Sequence, residues 1–405
     1  PMPVLLELLR TQMQSIADGA VETVVRTAIS PIVNEAKDCG AVIVDAEGRL
    51  ITGGGMGTIH WLGCVRAIRA TIARYGEDVG EGDVFLANDP YNGGGMHPAD
   101  VVIQKPIFYQ GLCVAWTAFS AHMMDMGGMS IGSWAPTATD CYQEALRIPP
   151  VRLIRRGADA GEIWDMLRTN IRFFDIVEMD MRCLIGGAHV AETGLQKLID
   201  DHGLPVFQNA VDKLITLSER ELRRAIASIA EGEYHAVGWA EWGERFVRIP
   251  CKLIVKDQSL HFDFTGADAQ IPFFINTQPY IIKTYFLPQL IATLSPDIPF
   301  NEGVVRPVDV VCPEGTVVHA LSPAPMNSGH IHAAGIAAET MYRCLRLALW
   351  ATPGLSDTLP AMGAEGYSAL ATNAWYGVPD KGGAGGGGMS TDGVMTGRWA
   401  GRGSD

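Results

Sequence analysis

The chain has no run of basic residues and no excess of positive charge. Its 31 Lys and Arg stand against 45 Asp and Glu, a formal net charge of −14. An acidic chain repels a phosphate backbone, so nucleic acid is excluded as the expected partner. Long apolar runs are missing as well. The run nearest the start, Val4-Leu5-Leu6-Glu7-Leu8-Leu9, is short and interrupted by Glu7, which makes it neither a signal peptide nor a membrane span. None of the eight cysteines forms a C-x-x-C pair. Thiols scattered through a chain that is 47% hydrophobic read as small buried side chains in a reducing cytoplasm, rather than as disulfides or a zinc knuckle. There is no G-x-x-x-x-G-K-[ST] phosphate loop, no G-x-S-x-G elbow and no internal repeat. The glycine-rich run at residues 382–388 precedes no lysine-bearing helix and reads as a loop. Any nucleotide chemistry is therefore expected on another chain.

What is present is enough apolar sequence for two or three domains, or one large unit, in 405 residues. Residues 3–29 carry apolar side chains at helical spacing, and Ser30-Pro31 is a plausible stop. Residues 41–51 read as a hairpin with a turn at Gly48, and residues 61–75 return to helical spacing. Val101 to Tyr109 and Leu112 to Ser120 are rich in β-branched and aromatic residues and flank Gln110-Gly111, so a second hairpin is expected. Residues 159–229 read as largely helical, and alternation resumes in strands at 246–255 and 260–264. The expected fold class is α/β with mixed sheets. The expected domains are residues 1–158 with the site, a helical region 159–230, and a mixed α/β region 231–405.

The densest chemistry lies in Asn88-Asp89-Pro90-Tyr91-Asn92-Gly93-Gly94-Gly95-Met96-His97-Pro98-Ala99-Asp100. A second cluster, Ser120-Ala121-His122-Met123-Met124-Asp125-Met126-Gly127-Gly128, follows soon after. His97 and Asp100 are three apart, and His122 follows across the expected hairpin. Mixed nitrogen and oxygen ligands suit a divalent cation such as Zn²⁺ or Mn²⁺. The bland alternative is a pair of loop histidines in ordinary hydrogen bonds. Register decides between them. A loop spanning residues 110–112 sets Asp100 directly opposite His122, whereas a two-residue loop slips the register and sends them to opposite faces. Asp125 either fixes the tautomer of a ligating histidine or caps the next turn. His60, after the glycine cluster at 53–57, either lines the same cavity or is an ordinary loop histidine. Asp89, Asp125 and His60 are the candidate catalytic residues. His330-Ile331-His332 would share a face on a strand, though a solvated loop is the simpler reading.

At this point the motifs are familiar. The chain resembles the hydantoinase B/5-oxoprolinase family over nearly its whole length. Arg26-Thr27-Ala28-Ile29-Ser30-Pro31 with Glu35 and Asp38 is similar to the N-terminal signature. Asn88 to Gly94 with His97 and Asp100 is similar to the central motif, and His122, Asp125, Gly127 and Gly128 to the second. Ile148-Pro149-Pro150, Asn170-Ile171-Arg172, Asp263-Phe264-Thr265-Gly266 and Asn301-Glu302-Gly303 also match. The resemblance implies an A-type partner with an actin-like ATPase fold, which holds ATP and phosphorylates the substrate. It also implies a divalent metal on His97, Asp100 and His122. The implied activity is hydrolysis of a cyclic amide such as a hydantoin, 5-oxoproline or a lactam. The alternatives are a ketone carboxylase subunit and a non-catalytic scaffold. Residues 38–42 depart from the Asp-Phe-Ser-Cys-Ala of many hydrolase members, and residues 132–139 lean toward the carboxylase branch. Family members continue where this chain ends, so truncation at the C-terminus is expected.

Overall fold

The computed structural model describes residues 2–55 and 58–353. The glycine-rich run at 382–388 and part of the 53–57 cluster lie outside the described residues. Two compact units are present: Pro1–Ser218 with Pro299–Gly303, and Glu219–Ile298 with Val304–Asp405.

The first unit opens with helix α1 (Met2–Thr27). It stops where Pro31 forbids continuation, and Ser30 caps the short α2 (Pro31–Asn34) by accepting from Val33 N–H. Strands β1 (Cys39–Asp45) and β2 (Leu50–Gly54) form the first hairpin, followed by α3 (Trp61–Tyr75) and β3 (Val84–Ala87). The second hairpin is β4 (Asp100–Tyr109) and β5 (Leu112–His122). Strands β6 (Val151–Arg155) and β7 (Ala158–Asp159) finish a seven-stranded sheet in the order β2-β1-β5-β4-β3-β6-β7, with every pair antiparallel. Helices α4 (Gly161–Asn170) and α5 (Phe174–His202) follow, and then α6 (Leu204–Ala227), whose last residues fall past Ser218. Alternation along the strands divides the side chains between two faces. Ala41, Val101, Ile103, Phe119 and Ala121 pack with α1 and α5. Val42, Val102, Trp116 and Ala118 pack with Trp61, Cys64 and Ile68 of α3. Asp100, Ser120 and His122 continue the α3 side of this alternation.

The register of the second hairpin decides between the two loops that the sequence left open. Tyr109 pairs with Leu112, so the loop has only the two residues Gln110 and Gly111, both at positive φ. That is the case in which Asp100 and His122 should part. They do not, because the ladder shifts between Ile107 and Phe108 and Ala115 becomes the partner of Ile107. One extra residue on β5 restores the register, and Asp100 lies opposite His122.

The second unit holds a four-stranded sheet, β11-β10-β9-β8. Its strands are β8 (Gly232–Trp242), β9 (Arg245–Lys256) and β10 (Ser259–Asp263), then β11 (Val308–Val311), which pairs parallel to β10. Its helices are α7 (Pro279–Leu294) and α9 (Ala333–Trp350); the short α8 (Glu302–Val305) lies between them in sequence. His330 and His332 lie in the turn leading into α9, not on a strand, and His330 is buried rather than solvated. The mixed α/β class expected from the sequence is the class observed. No helix among the described residues is long and apolar enough to cross a membrane.

Candidate metal centre

The loop between β3 and β4 is tied down by one side chain. Asn88 Nδ2 donates to Pro98 O at 2.7 Å and to Leu146 O at 2.9 Å, and its Oδ1 accepts from Ile148 N–H at 2.6 Å. The chain then doubles back so tightly that only glycine fits. A Cβ on Gly94 would meet Asn88 C at 2.1 Å, and one on Gly95 would meet Asp100 Cβ at 2.4 Å. This packing sets His97 beside the first residue of β4.

His97, Asp100 and His122 converge. Asp100 Oδ1 lies 3.1 Å from His97 Nε2 and 3.5 Å from His122 Nδ1, and the two ring nitrogens are 3.2 Å apart. Ligand atoms held about 2.1 Å from one tetrahedral ion are themselves about 3.4 Å apart, so the three donors have the spacing of a shared cation. Asp100 and His97 are buried, and among the described residues Asp100 Oδ2 has no hydrogen-bond partner. A buried carboxylate oxygen left over in this way is costly unless something positive meets it. Among the described residues, this is the one group of three or more His, Cys, Asp or Glu side chains with ligand atoms close enough for one ion.

The charges around the group are coupled. Burial pushes the Asp100 carboxyl up, but the charge of His97 and hydrogen bonds to both histidines hold it well below its ordinary value. Burial pulls the His122 imidazole down, yet its bond to Asp100 and the charges of Asp100 and Asp38 leave it raised.

His60 precedes α3 and so faces the same side of the sheet. It is buried between Ser120 Oγ, 3.0 Å from Nδ1, and Asp38 Oδ1, 3.1 Å from Nε2. Burial lowers its basicity, but the Asp38 hydrogen bond and the Asp100 and Asp38 charges more than reverse this. Burial likewise raises Asp38, and the bond to His60 with the charges of His60 and His122 brings it down to about 2. The backbone carbonyl of Asp38 also accepts the His122 N–H at 3.2 Å. Asp38 lies in the stretch similar to the N-terminal signature, yet sequence reasoning misses it as a site residue. It stands 22 positions from His60 and still further from His122, so no local pattern joins them.

The two other candidate carboxylates are occupied locally. Asp125 is fully buried, and its oxygens accept from the N–H groups of Gly127, Gly132 and Arg172 and from the Arg172 guanidinium. These are the contacts of the turn-capping alternative. Arg172 also donates to Gly128 O and Ser130 O, closing the loop after β5. Asp89 accepts from Tyr91 N–H and Asn92 Nδ2 and lies 3.6 Å from Arg147.

Residues 2–401 match the family described as Hydantoinase B/oxoprolinase. The beta subunit of the caprolactamase of Pseudomonas jessenii is 29% identical over 353 residues, covering 86% of this chain and 59% of that protein. The B component of a putative D-/L-hydantoinase from Pseudomonas sp. (strain NS671) is 27% identical over 351 residues, 81% of this chain and 59% of its own length. The crystal structure of the ATP-dependent caprolactamase from Pseudomonas jessenii superposes with a TM-score of 0.78 at 28% identity, covering 87% of this chain and 60% of that one. The chain thus spans about three-fifths of the length of these relatives, and it belongs to the hydantoinase B/oxoprolinase family.

Proposed function

We propose that this chain is the B-type component of an ATP-dependent enzyme that hydrolyses a cyclic amide, such as a hydantoin, 5-oxoproline or a lactam. An A-type ATPase partner holds ATP and phosphorylates the amide oxygen, turning a poor electrophile into one with a good leaving group. His97, Asp100 and His122 hold a divalent cation, Zn²⁺ or Mn²⁺. The observation that carries the reading is the meeting of two ring nitrogens and a carboxylate at 3.1–3.5 Å, with Asp100 Oδ2 unpartnered. Relatives named as caprolactamase and hydantoinase subunits support the reaction class.

When bound, the ion supplies Lewis acidity: it polarises a carbonyl or sharpens a water molecule as nucleophile. The chain's own residues arrange the rest. Both nitrogens of His60 are engaged, so it acts through its neighbours. It holds the Asp38 carboxylate in place and ties it to Ser120 on β5. Asp89 and Asp125 keep their turns rigid, and those turns present His97 and follow His122. All eight cysteines are unpaired, six of them buried, which fits a reducing cytoplasm.

The test is reconstitution. The isolated chain should bind about one divalent ion and show no ATP-dependent turnover. With an A-type partner it should open a cyclic amide, and His122→Ala should abolish both metal content and turnover while the subunits still assemble. Turnover in His122→Ala equal to that of the parent would leave the scaffold reading as the better one. Carboxylation of a ketone in place of amide hydrolysis would move the chain to the carboxylase alternative.

A further inference from the structure

Arg147 is a second charged group on the framework that carries the metal ligands, and none of the roles above uses it. Asn88 grips the segment on both sides of it, at Leu146 O and Ile148 N–H, and the same Asn88 holds Pro98 O, one residue from His97. The guanidinium lies over the rings of Tyr91 and Tyr142, 5.4 and 5.1 Å from their centres. Stacking of this kind fixes a planar cation and leaves its donors pointing outward from its edges. The side chain is 16% exposed, so it is neither freely solvated nor sealed.

Its partners are few. The nearest carboxylate oxygen, Asp89 Oδ1, is 3.6 Å from Nη1, an ion pair without a hydrogen bond. Asp89 meanwhile accepts from Tyr91 N–H and Asn92 Nδ2 of its own turn. Among the described residues, no hydrogen bond engages the five donors of Arg147. Arg66 and Arg172, also in this unit, behave otherwise. Arg66 donates to Pro90 O and Tyr91 O, and Arg172 to Gly128 O, Ser130 O and Asp125. Those two are structural clamps. Arg147 is held between two rings, is reachable, and beside its ion pair with Asp89 has donors to spare.

We propose that Arg147, set by Tyr91 and Tyr142, binds an oxyanion group of the substrate. Guanidinium matches such a group with two parallel N–H···O bonds. Two sources fit the chemistry: the phosphoryl group placed on the amide oxygen, or a carboxylate carried by the ring. The assignment rests on the reading that the chain receives a phosphorylated cyclic amide.

The probes are inorganic phosphate and acetate, titrated into the full chain by calorimetry at matched metal content. Arg147→Gln should weaken binding by about 10–100-fold, the loss expected when a hydrogen-bonded charge is removed. Arg147→Lys should fall between, because a point charge replaces the fork. Tyr142→Ala, at a side chain 71% exposed, leaves the core untouched and should weaken binding several-fold. Loss confined to phosphate assigns the phosphoryl group, and loss confined to acetate assigns a ring carboxylate. Parental binding of both anions by Arg147→Gln and Tyr142→Ala would overturn the proposal, as would a parent that binds neither at millimolar concentration. Phosphate held by the metal alone survives these substitutions and counts against the proposal. Metal content and turnover of His122→Ala are measured separately, so the two readings fail independently.

Discussion

Two buried carboxylates, one in each unit, behave in opposite ways. Asp100 in the first unit is held well below its ordinary value, whereas Glu339 on α9 of the second is pushed up to about 7. Both are buried, and burial alone raises a carboxyl in each case. The difference is company. Asp100 meets two imidazoles at 3.1 and 3.5 Å, with His60 acting on it from further away. Among the described residues, Glu339 has only the Arg343 guanidinium, which is itself 43% exposed. Among the described residues each carboxylate also leaves one oxygen unpartnered, so that feature alone does not mark a site. What sets Asp100 apart is the convergence of several ligand-type groups on one carboxylate.

The comparison can be broken most sharply at His122. His122→Ala should cut metal content, measured by elemental analysis, and ATP-dependent turnover of the reconstituted complex. Both losses should exceed the roughly 10–100-fold typical when only the partner of a ligand is changed. The backbone ladder of β4 and β5 should keep the fold, so the melting curve should move little.

Asp125→Ala is expected next in size. It takes one of three acceptors from the Arg172 guanidinium and removes the acceptor of three N–H groups in a fully buried position. Stability should fall by about 3 kcal/mol in denaturant unfolding. Asp125→Asn should lose less than half of that. A larger effect on turnover than on stability would instead give Asp125 a direct part in the chemistry.

Glu339→Gln sharpens the other side. A carboxyl raised to about 7 in the folded state, against 4.5 ordinarily, favours folding below pH 4.5, and this contribution is lost as pH climbs through 7. The glutamine variant has nothing to lose. Its stability relative to the parent should therefore rise between pH 5 and 8 by an amount on the order of 2 kcal/mol, with no change in metal content. A gap that shrinks with pH would show that the Arg343 pair dominates.

The smallest effect is expected at His261. It sits 3.2 Å from Asp309, nearly the separation of His97 and Asp100, but both side chains are exposed. His261→Ala should change stability by no more than about 0.5 kcal/mol and leave metal content alone. Distance without burial and without a third ligand should amount to nothing measurable.

Much of this is legible in the chain. Period-3.6 spacing marks α1 and α3, and α3 covers the expected residues 61–75 as Trp61–Tyr75. The hairpins follow from alternation and from Gly48 and Gly111, and the site loop from its glycines. Other features are not legible. Nothing local announces the extra residue on β5 that returns Asp100 to His122, because a bulge is chosen by packing on both faces of the sheet. Nor does the sequence join Asp38 to His60 and Ser120, or Arg172 to Asp125. Those partners lie 22 to 60 and 47 residues apart.

The sequence by itself determined the family, the α/β class and the residue types of the site, since motifs and periodicities are written in neighbouring positions. Only the tertiary structure decided which of those residues meet. Asp125 and Asp89 are drawn into their own turns, while His97, Asp100 and His122 are brought within 3.5 Å of one another. The physical reason is that ligand geometry depends on strand register and on close glycine packing. Both are settled by burying two faces of one sheet at once, a condition no short stretch of chain contains.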